Sequence, residues 1–468
     1  MSNAVKEEKE NRQAAEQKTP SSQKPMQNES RDPAYFGYYS MLQHQQNMLQ
    51  DSVRTSTYRS AILLKSASCF NNKIVMDVGA GSGILSYFAV QAGAEKVYAV
   101  EASKMASNLK KLVKQASTTG KNAFLKDRIE VVNAKIEDPD LPIPKVDTII
   151  SEPIGVLLVH ERMLESYVYA RDHYLKPGGA LFPSKGTIHL APFTDAILWT
   201  ETMGKARFWE STSFYGVDLS PLFPDAKDEL FRQPVVGQFD HRTLLSYPSP
   251  TGHVIDFYTI TFEQLHDIVI PFTWLANYTG IIHGIAGWFD AFFEPPRGEA
   301  GETIVLTTAP SAERTHWSQV RFLFREPIAV NAGQLIRGWM RLTVNEMRSY
   351  NVYAELVVGS NVELGDPMQL PKELLSDEGT TSSEGEILDE SNVMRRYGRW
   401  HLHEQTYNYN FTYPPTTDFK PEYSCMYEPA QPVIPPIPAA FAESEMGVEA
   451  PLTMMDFDSG FANSNQGF

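Results

Sequence analysis

The stretch from Lys73 to Glu101 leaves this chain few folds to choose from. Lys73-Ile74-Val75-Met76-Asp77-Val78 has the length and apolar content of a buried strand, and Gly79-Ala80-Gly81-Ser82-Gly83 follows as a tight turn. Ile84 to Gly93 reads as a helix closed by a C-cap glycine, Lys96-Val97-Tyr98-Ala99-Val100 as a second strand, and Glu101 stands at its end. Together these make a Rossmann-like βαβ unit, in which the glycines let a ligand approach the backbone and the acid faces a ribose. Dinucleotide turns favour Gly-x-Gly-x-x-Gly around a pyrophosphate. Here Gly83 comes one residue early and Asp77 precedes the turn by two. A carboxylate there suits a positively charged ligand without phosphate, such as S-adenosylmethionine.

Two further βα units follow. Arg128 to Val132 is a strand with a polar turn after it, where Glu137 could accept from an exocyclic amine or simply be solvated. Val146 to Ile150 is an apolar strand leading into Ser151-Glu152-Pro153-Ile154-Gly155-Val156-Leu157-Leu158-Val159-His160-Glu161-Arg162-Met163-Leu164-Glu165. Glu152 sits at the carboxyl end of that strand, the edge where open α/β sheets bind ligands. Pro153 and Gly155 turn the chain so that Glu161 can fold back toward Glu152. Two converging carboxylates make a clamp for a cation, and a guanidinium, with its planar fork of donors, fits it better than an ammonium. Ordinary exposed glutamates would give the same letters.

The 468 residues carry a net charge of −16, which argues against nucleic-acid binding and suits Arg- and Lys-rich protein tails. Cys69 and Cys425 form no framework, which fits a reduced compartment. Residues 1–32 are polar, with no apolar signal core, and are expected to be a disordered arm; no run is apolar enough for a membrane span. A helical lid is expected over 33–65, carrying Tyr35, Phe36, Tyr38 and Tyr39, with helical pieces ending near Tyr58 and Leu64. Its aromatics either pack in the core or stack on a planar ring, and Arg54 could offer a fork to a carboxylate. The nucleotide-type domain is assigned to 66–182.

From 183 to 358 the pattern becomes many strands without intervening helices: Thr187–Pro192, His253–Phe262, Ile281–Phe293, Thr303–Thr308, Gln334–Val344 and Tyr350–Val358. That implies an antiparallel sandwich or barrel. An aromatic-rich excursion at about 198–238 is either packed on itself or docks on another subunit. Thr315-His316-Trp317 is a loop whose histidine is packed or functional. Residues 359–393 hold nine acids and one lysine, and 359–468 are read as a largely disordered acidic tail, interrupted by the basic-aromatic Met394–Trp400.

These motifs, Tyr35-Phe36-x-x-Tyr39, Gln45-Gln46-Asn47-Met48, Asp51-x-Val53-Arg54-Thr55, the glycine turn, Val100-Glu101-Ala102-Ser103, the acid stretch and Thr315-His316-Trp317, resemble in order those of the type I protein arginine methyltransferases, the coactivator-associated (type 4) branch above all. The resemblance covers Tyr35 to Val358. It implies an α/β, class I methyltransferase domain followed by a β-barrel-like domain with a dimerisation arm. Phe36 and Tyr39 would cover the adenine, with Gln45 also at the cofactor. Arg54 and Asp77 would hold the methionine moiety, Gly79, Gly81 and Gly83 would line the cofactor, and Glu101 and Glu137 would take ribose and adenine. Glu152 and Glu161 would be the catalytic clamp, with His316 and Asp51 beside the cleft. Met48, Ile154 and Met163 would shape the product. The cofactor implied is S-adenosylmethionine, leaving as S-adenosylhomocysteine, with no metal. The partners implied are a second copy of the chain, histones and RNA-binding proteins, and transcription coactivators through the acidic tail, in nucleus and cytoplasm.

Three positions depart from the family. Ile154-Gly155-Val156 stands where Met-Gly-Tyr is usual, and His160 where the type 4 branch has Asn. About 32 residues precede the lid, too few for that branch's pleckstrin-like domain. A non-catalytic adaptor and a nicotinamide dehydrogenase are the alternatives; the paired glutamates and the glycine spacing speak against the second.

Overall fold

The structure, a computed structural model, describes residues 31–116, 122–249, 251–296, 301–360, 363–371, 374 and 394–408. Three helices open it: α1 (Asp32–Tyr39), α2 (Leu42–Gln50) and α3 (Ser52–Leu64). The break falls at Asp51, not near Tyr58, because Asp51 caps α3 by accepting the Arg54 backbone N–H at 2.9 Å. The aromatic cluster that precedes it is itself helical, with Pro33 at a position where a missing N–H costs nothing.

A five-stranded parallel sheet follows, built from β1 (Ile74–Val78), β2 (Lys96–Val100), β3 (Ile129–Val132), β4 (Val146–Ser151) and β5 (Leu175–Phe182) in the order β3-β2-β1-β4-β5. Helices α4 (Ile84–Gln91), α5 (Met105–Ala116) and α6 (Met163–Tyr174) lie between strands. The chain reverses its direction of travel between β1 and β4, and that switch point opens a crevice beyond their carboxyl ends. Pro177-Gly178-Gly179 forms a bulge within β5, where the register against β4 slips between Val146 and Thr148.

The second domain is antiparallel. Its larger sheet contains β6 (Lys185–Phe193), β7 (Val235–Gly237), β8 (His253–Asp256), β10 (Gly280–Phe293), β11 (Ile304–Thr307) and β12 (Gln319–Val330). Its smaller sheet is ordered β15-β14-β13-β9, from β9 (Asp267–Leu275), β13 (Leu335–Asn345), β14 (Ser349–Val358) and β15 (Met394–His401). β10 is buried on both faces. Ile285, Phe289, Ala291 and Phe293 join the main core, while Ala286 and Trp288 face the cluster under helices α7 (Ala196–Arg207) and α8 (Phe223–Phe231). The main core runs unbroken between the domains: Phe293 meets Tyr58 of α3 edge-on at 4.8 Å and Phe182 of β5 at 6.3 Å.

Two assignments change. Of the expected strand His253–Phe262 only His253–Asp256 pairs, because Thr261 and Gln264 form a capping box that starts helix α9 (Phe262–His266). Met394–Trp400, placed in the tail by its position, is β15, paired along β14, with Trp400 buried and donating to the Leu323 carbonyl at 3.0 Å. A short β16 (Thr406–Tyr407) then pairs with β7. The arm region 198–238 is helical, and its far end exposes Phe208, Phe214 and Tyr215. Residues 1–30 of the expected disordered arm, and the tail apart from 359–360, 363–371, 374 and 394–408, lie outside the described residues. Part of the acidic stretch expected to be disordered is docked on β13: the Gly365 carbonyl accepts Trp339 Nε1 at 2.9 Å and the Pro367 carbonyl accepts Arg341 Nη1 at 2.8 Å. No helix among the described residues is long and apolar enough to cross a membrane.

Candidate active site

A cavity of about 670 Å³ fills the crevice, lined by the ends of β1, β2 and β4, the turn after β3, the lid helices and the Thr315–Trp317 loop. Gly79 and Gly81 form its floor with φ of +71° and +54°, a region costly for any other residue. A Cβ on Gly81 would lie 2.8 Å from the Gln45 amide oxygen, and one on Gly79 2.8 Å from the Met163 terminal methyl. Gln45 itself spans lid and turn, accepting from Ser82 N–H at 3.1 Å and donating to the Tyr39 carbonyl at 3.1 Å. The Glu101 carboxylate accepts from the N–H groups of Gly81 and Ser103, each at 2.7 Å. A carboxylate has about four acceptor sites, so two remain for a ligand. Glu137 accepts the Ser166 hydroxyl at 2.6 Å, and burial holds its pKa above the ordinary carboxylate range despite that bond.

The acid loop brings Glu152 and Glu161 to the same cavity. Glu152 Oε1 accepts the Ile154 N–H at 3.1 Å, and Oε2 receives Nε and Nη2 of Arg54, both at 3.0 Å. Glu161 Oε2 accepts the Tyr39 hydroxyl at 2.6 Å. Burial raises the Glu161 pKa, the Tyr39 hydrogen bond opposes that rise, and the charge of Glu152 adds to it. The backbone that presents these acids is strained, because Leu157, Leu158, Glu161 and Arg162 all have φ between +54° and +72°. Each such residue costs about 1–2 kcal/mol. The surroundings over-determine the shape. Trp317 Nε1 donates to the Ile154 carbonyl at 2.9 Å, and a Cβ on Gly155 would collide with the His160 carbonyl. Arg162 is forked onto buried Glu165 at 2.7 and 3.0 Å, and His160 is held between Ser349 and Gln405.

Several sequence expectations change at this point. Asp77 does not line the cavity: its carboxyl is buried beneath the glycine turn, takes the Ser86 hydroxyl at 2.7 Å on Oδ2, and leaves Oδ1 without a partner. Burial pushes its pKa up to about 7. Gly83 is also off the cavity wall; it caps α4, with φ +90°, against Leu109 and Tyr87. Arg54 lies in the cavity but is engaged by Glu152 rather than open at the mouth. Asp51 stays outside the lining and orients His316 at the rim, with Oδ2 receiving the His316 N–H at 2.8 Å and Nδ1 at 2.7 Å. Burial would raise the Asp51 pKa, but these bonds bring it below the usual range. Phe36, Tyr39, Met48, Ile154 and Met163 all reach the cavity.

Sequence reasoning missed two kinds of residue. Trp317 was read only as the neighbour of His316, yet it braces the loop. Asp32, Lys135 and Arg348 form an ion triad that pins α1: the Asp32 carboxylate takes Lys135 on one oxygen and Arg348 on the other, and the Arg348 guanidinium lies 4.2 Å above the Tyr35 ring. Nothing in the local pattern joins positions 32, 135 and 348, so only the fold could have found them.

One cluster of metal-ligand types occurs among the described residues, His401, His403 and Glu404. The far nitrogens of both rings face donors, Arg399 on His401 at 3.4 Å and the Asn345 amide on His403 at 3.2 Å, and Arg232 lies 3.6 Å from Glu404. Metal-bound imidazoles need acceptors on that side, so the cluster suits ion pairing and not a cation site.

Residues 184–357 match the profile of the arginine methyltransferase oligomerization subdomain, and residues 57–157 that of the ribosomal protein L11 methyltransferase family. A probable histone-arginine methyltransferase CARM1 of Oryza sativa is 47% identical over 340 residues, 72% of this chain and 61% of the relative. A Drosophila persimilis histone-arginine methyltransferase CARMER is 44% identical over 369 residues, 79% of this chain and 63% of the relative. The chain thus spans about three fifths of the length of these curated relatives. Arabidopsis thaliana protein arginine methyltransferase 10, solved in an open conformation, is 34% identical with a TM-score of 0.61, over 69% of this chain and 95% of that one. The Trypanosoma brucei PRMT1 enzyme-prozyme heterotetramer, solved with S-adenosylhomocysteine, is 27% identical with a TM-score of 0.60, over 78% and 99%. By sequence and by fold, this chain belongs to the protein arginine methyltransferase family.

Proposed function

We propose that the chain is an S-adenosylmethionine-dependent protein arginine N-methyltransferase forming monomethyl and asymmetric dimethylarginine. The observation that carries this is the convergence of Glu152 and Glu161 on one cavity, beside the glycine turn and Glu101. The residues fit the cofactor: the bare floor at Gly79 and Gly81 is a cradle that a side chain would fill, and Glu101 keeps two acceptor sites for ribose hydroxyls. Phe36 and Glu137 line the same cavity and are the proposed contacts of the adenine. When bound, S-adenosylmethionine supplies a sulfonium methyl already activated for transfer.

The chain's own residues handle the other reactant. Two buried carboxylates repel until a cation enters, so the site favours a guanidinium over a neutral group. Glu152 already holds one such group, Arg54, with both nitrogens at 3.0 Å. A carboxylate arriving with the cofactor would draw Arg54 away and free Glu152 for the substrate. The two acids then fix the guanidinium plane and offset its charge as the nucleophile approaches a cationic donor. A guanidinium pKa above about 12 makes early deprotonation costly, so the proton leaves during or after transfer. His316, oriented by Asp51 at the rim, is the proposed exit for it. Met48, Ile154 and Met163 wall the side where the product methyls accumulate.

Histone tails and Arg-containing RNA-binding proteins are the proposed substrates, in nucleus and cytoplasm, on the strength of the acidic net charge and the relatives' names. A homodimer formed through the arm is proposed from the oligomerization profile and the exposed Phe208, Phe214 and Tyr215. Coactivator partners reached through the acidic tail are proposed from its composition alone. The test is mass spectrometry of a histone-tail peptide after incubation with protein and S-adenosylmethionine. Asymmetric dimethylarginine, abolished in Glu152→Gln and Glu161→Gln with cofactor binding retained, is the expected result. Cofactor binding without methylation of any Arg peptide would overturn the reading in favour of an adaptor.

A further inference from the structure

We propose that His160 and Gln405 are positioning residues, and that the segment following β15 is a strap that holds Glu161 in the cavity through the His160 ring. The proposal rests on the methyltransferase reading and adds to it a part of the chain, residues 402–408, beyond the matched oligomerization subdomain.

The hydrogen-bond directions are fixed by chemistry. Gln405 Nε2 donates to the Leu402 carbonyl at 3.2 Å and lies 3.0 Å from His160 Nε2. An amide nitrogen only donates, so His160 Nε2 is the acceptor. Burial lowers the His160 pKa to about 4, so the ring is neutral and its single proton sits on Nδ1. That proton is donated to Ser349 Oγ, 2.8 Å away at the start of β14. Gln405 Oε1 in turn accepts the Tyr407 hydroxyl at 3.4 Å, and Tyr407 lines the cavity. Every polar atom of the ring and of the Gln405 amide therefore has a partner of the right sense.

The next residue along the chain is Glu161, at φ +71° and ψ −13°. A glutamate held there relaxes readily to negative φ, and that rotation swings its carboxylate out of the cavity. A ring clamped from two sides fixes the peptide between residues 160 and 161 and blocks the rotation. The two clamps come from different places: Ser349 from the rigid β13–β14 hairpin, Gln405 from the short segment held by β16 against β7. The strap is the weaker of the two, because β16 has only two residues and both are exposed.

The test is a double-mutant cycle on the full chain with His160→Ala, Gln405→Ala and the combination, reading kcat on an Arg peptide, cofactor Kd and the unfolding midpoint. Each single variant is expected to lose about tenfold in kcat, the cost of a misplaced reacting group, with cofactor Kd unchanged. The double variant is expected to lose no more than His160→Ala alone, because Gln405 acts only through the ring. Multiplied losses, or a Gln405→Ala variant with wild-type kcat, would overturn the strap. If His160→Ala does not fold, Gln405→Ala alone decides by its kcat at an unchanged unfolding midpoint. Inactive wild-type protein would refute the methyltransferase reading itself, a result distinct from failure of the cycle.

Discussion

Replacing Asp32 by Asn keeps the shape of the side chain that pins α1 and removes its charge. The carboxylate receives Lys135 on one oxygen and Arg348 on the other, and its side chain is 10% exposed. Each charge-assisted bond is worth about 1.5–3 kcal/mol. Asn can keep one of them through its oxygen but turns an N–H₂ toward the other cation. Lys135 and Arg348, 31% and 17% exposed, recover part of the loss in water. The net weakening is about 2 kcal/mol, a factor of about 30 in the opening equilibrium of α1. Hydrogen exchange of the Tyr35–Ser40 amides reads that equilibrium directly, since the Tyr35 and Ser40 N–H groups bond to Arg31 and Phe36 carbonyls at 3.1 Å. Their exchange is expected to speed up about 30-fold while amides of β1 and β10 keep their rates. The effect should shrink at high salt, because part of it is screened Coulomb attraction. An unchanged rate in α1 would refute the latch. An equal acceleration throughout the core would show that Asp32 supports the whole fold instead of the lid.

Other perturbations test the acids and their braces. Tyr39→Phe removes a bond that favours the charged form of Glu161, so the Glu161 pKa rises further; the proposed clamp acts as a carboxylate, so the acid limb of the kcat–pH profile is expected to move to higher pH, with a limb that stays or moves down refuting the role. Asp77→Asn tests the buried acid by stability. An acid raised from about 3.9 unfolded to about 7 folded is no burden below the lower value and destabilises increasingly as pH rises to the upper one. The variant's advantage in urea midpoint is therefore expected to grow between about pH 4 and pH 7 and to level off above, and a gap that does not change with pH would contradict it. Trp317→Phe keeps an aromatic ring against Phe289 and strands the Ile154 carbonyl, so unfolding free energy should fall by about 1–3 kcal/mol in urea titrations.

Much of this was legible in the letters because it rests on local rules. The glycine turn with its flanking strand and helix predicts the βαβ unit, and Glu152 at the end of an apolar strand lies in the crevice where topology puts ligands. The rest depended on distance in sequence. Asp77 looked like a ligand group from its spacing, but its strand directs it inward to Ser86, and alternation in a short strand buried on both faces gives no sign of which face is wet. β15 was hidden by the acidic stretch before it, since composition describes a segment's solvation and says nothing of a strand edge waiting elsewhere. β12 and β9 were not among the expected strands, and their pairing shows only in the sheets they join.

The strained acid loop takes its contacts from both domains. Four non-glycine residues in left-handed conformation give Glu152 and Glu161 their convergence, and the loop's own hydrogen bonds, such as Gly155 N–H to the Leu158 carbonyl at 3.2 Å, are too few to hold it. The braces come from elsewhere: Trp317 from the loop before β12, Asn345 and Ser349 from β13 and β14, Tyr39 from the lid. The nucleotide-type domain thus supplies the acids, and the barrel and the lid brace them. A clamp built by one domain alone would relax toward ordinary φ values and lose the convergence. Strain offset by distant contacts also makes the site adjustable, because a change at any brace alters the clamp without touching a reacting atom. On this argument Ile154 and His160, the two departures beside the acids, matter less through their own chemistry than through what holds them: the indole of Trp317 on one and the Ser349–Gln405 pair on the other.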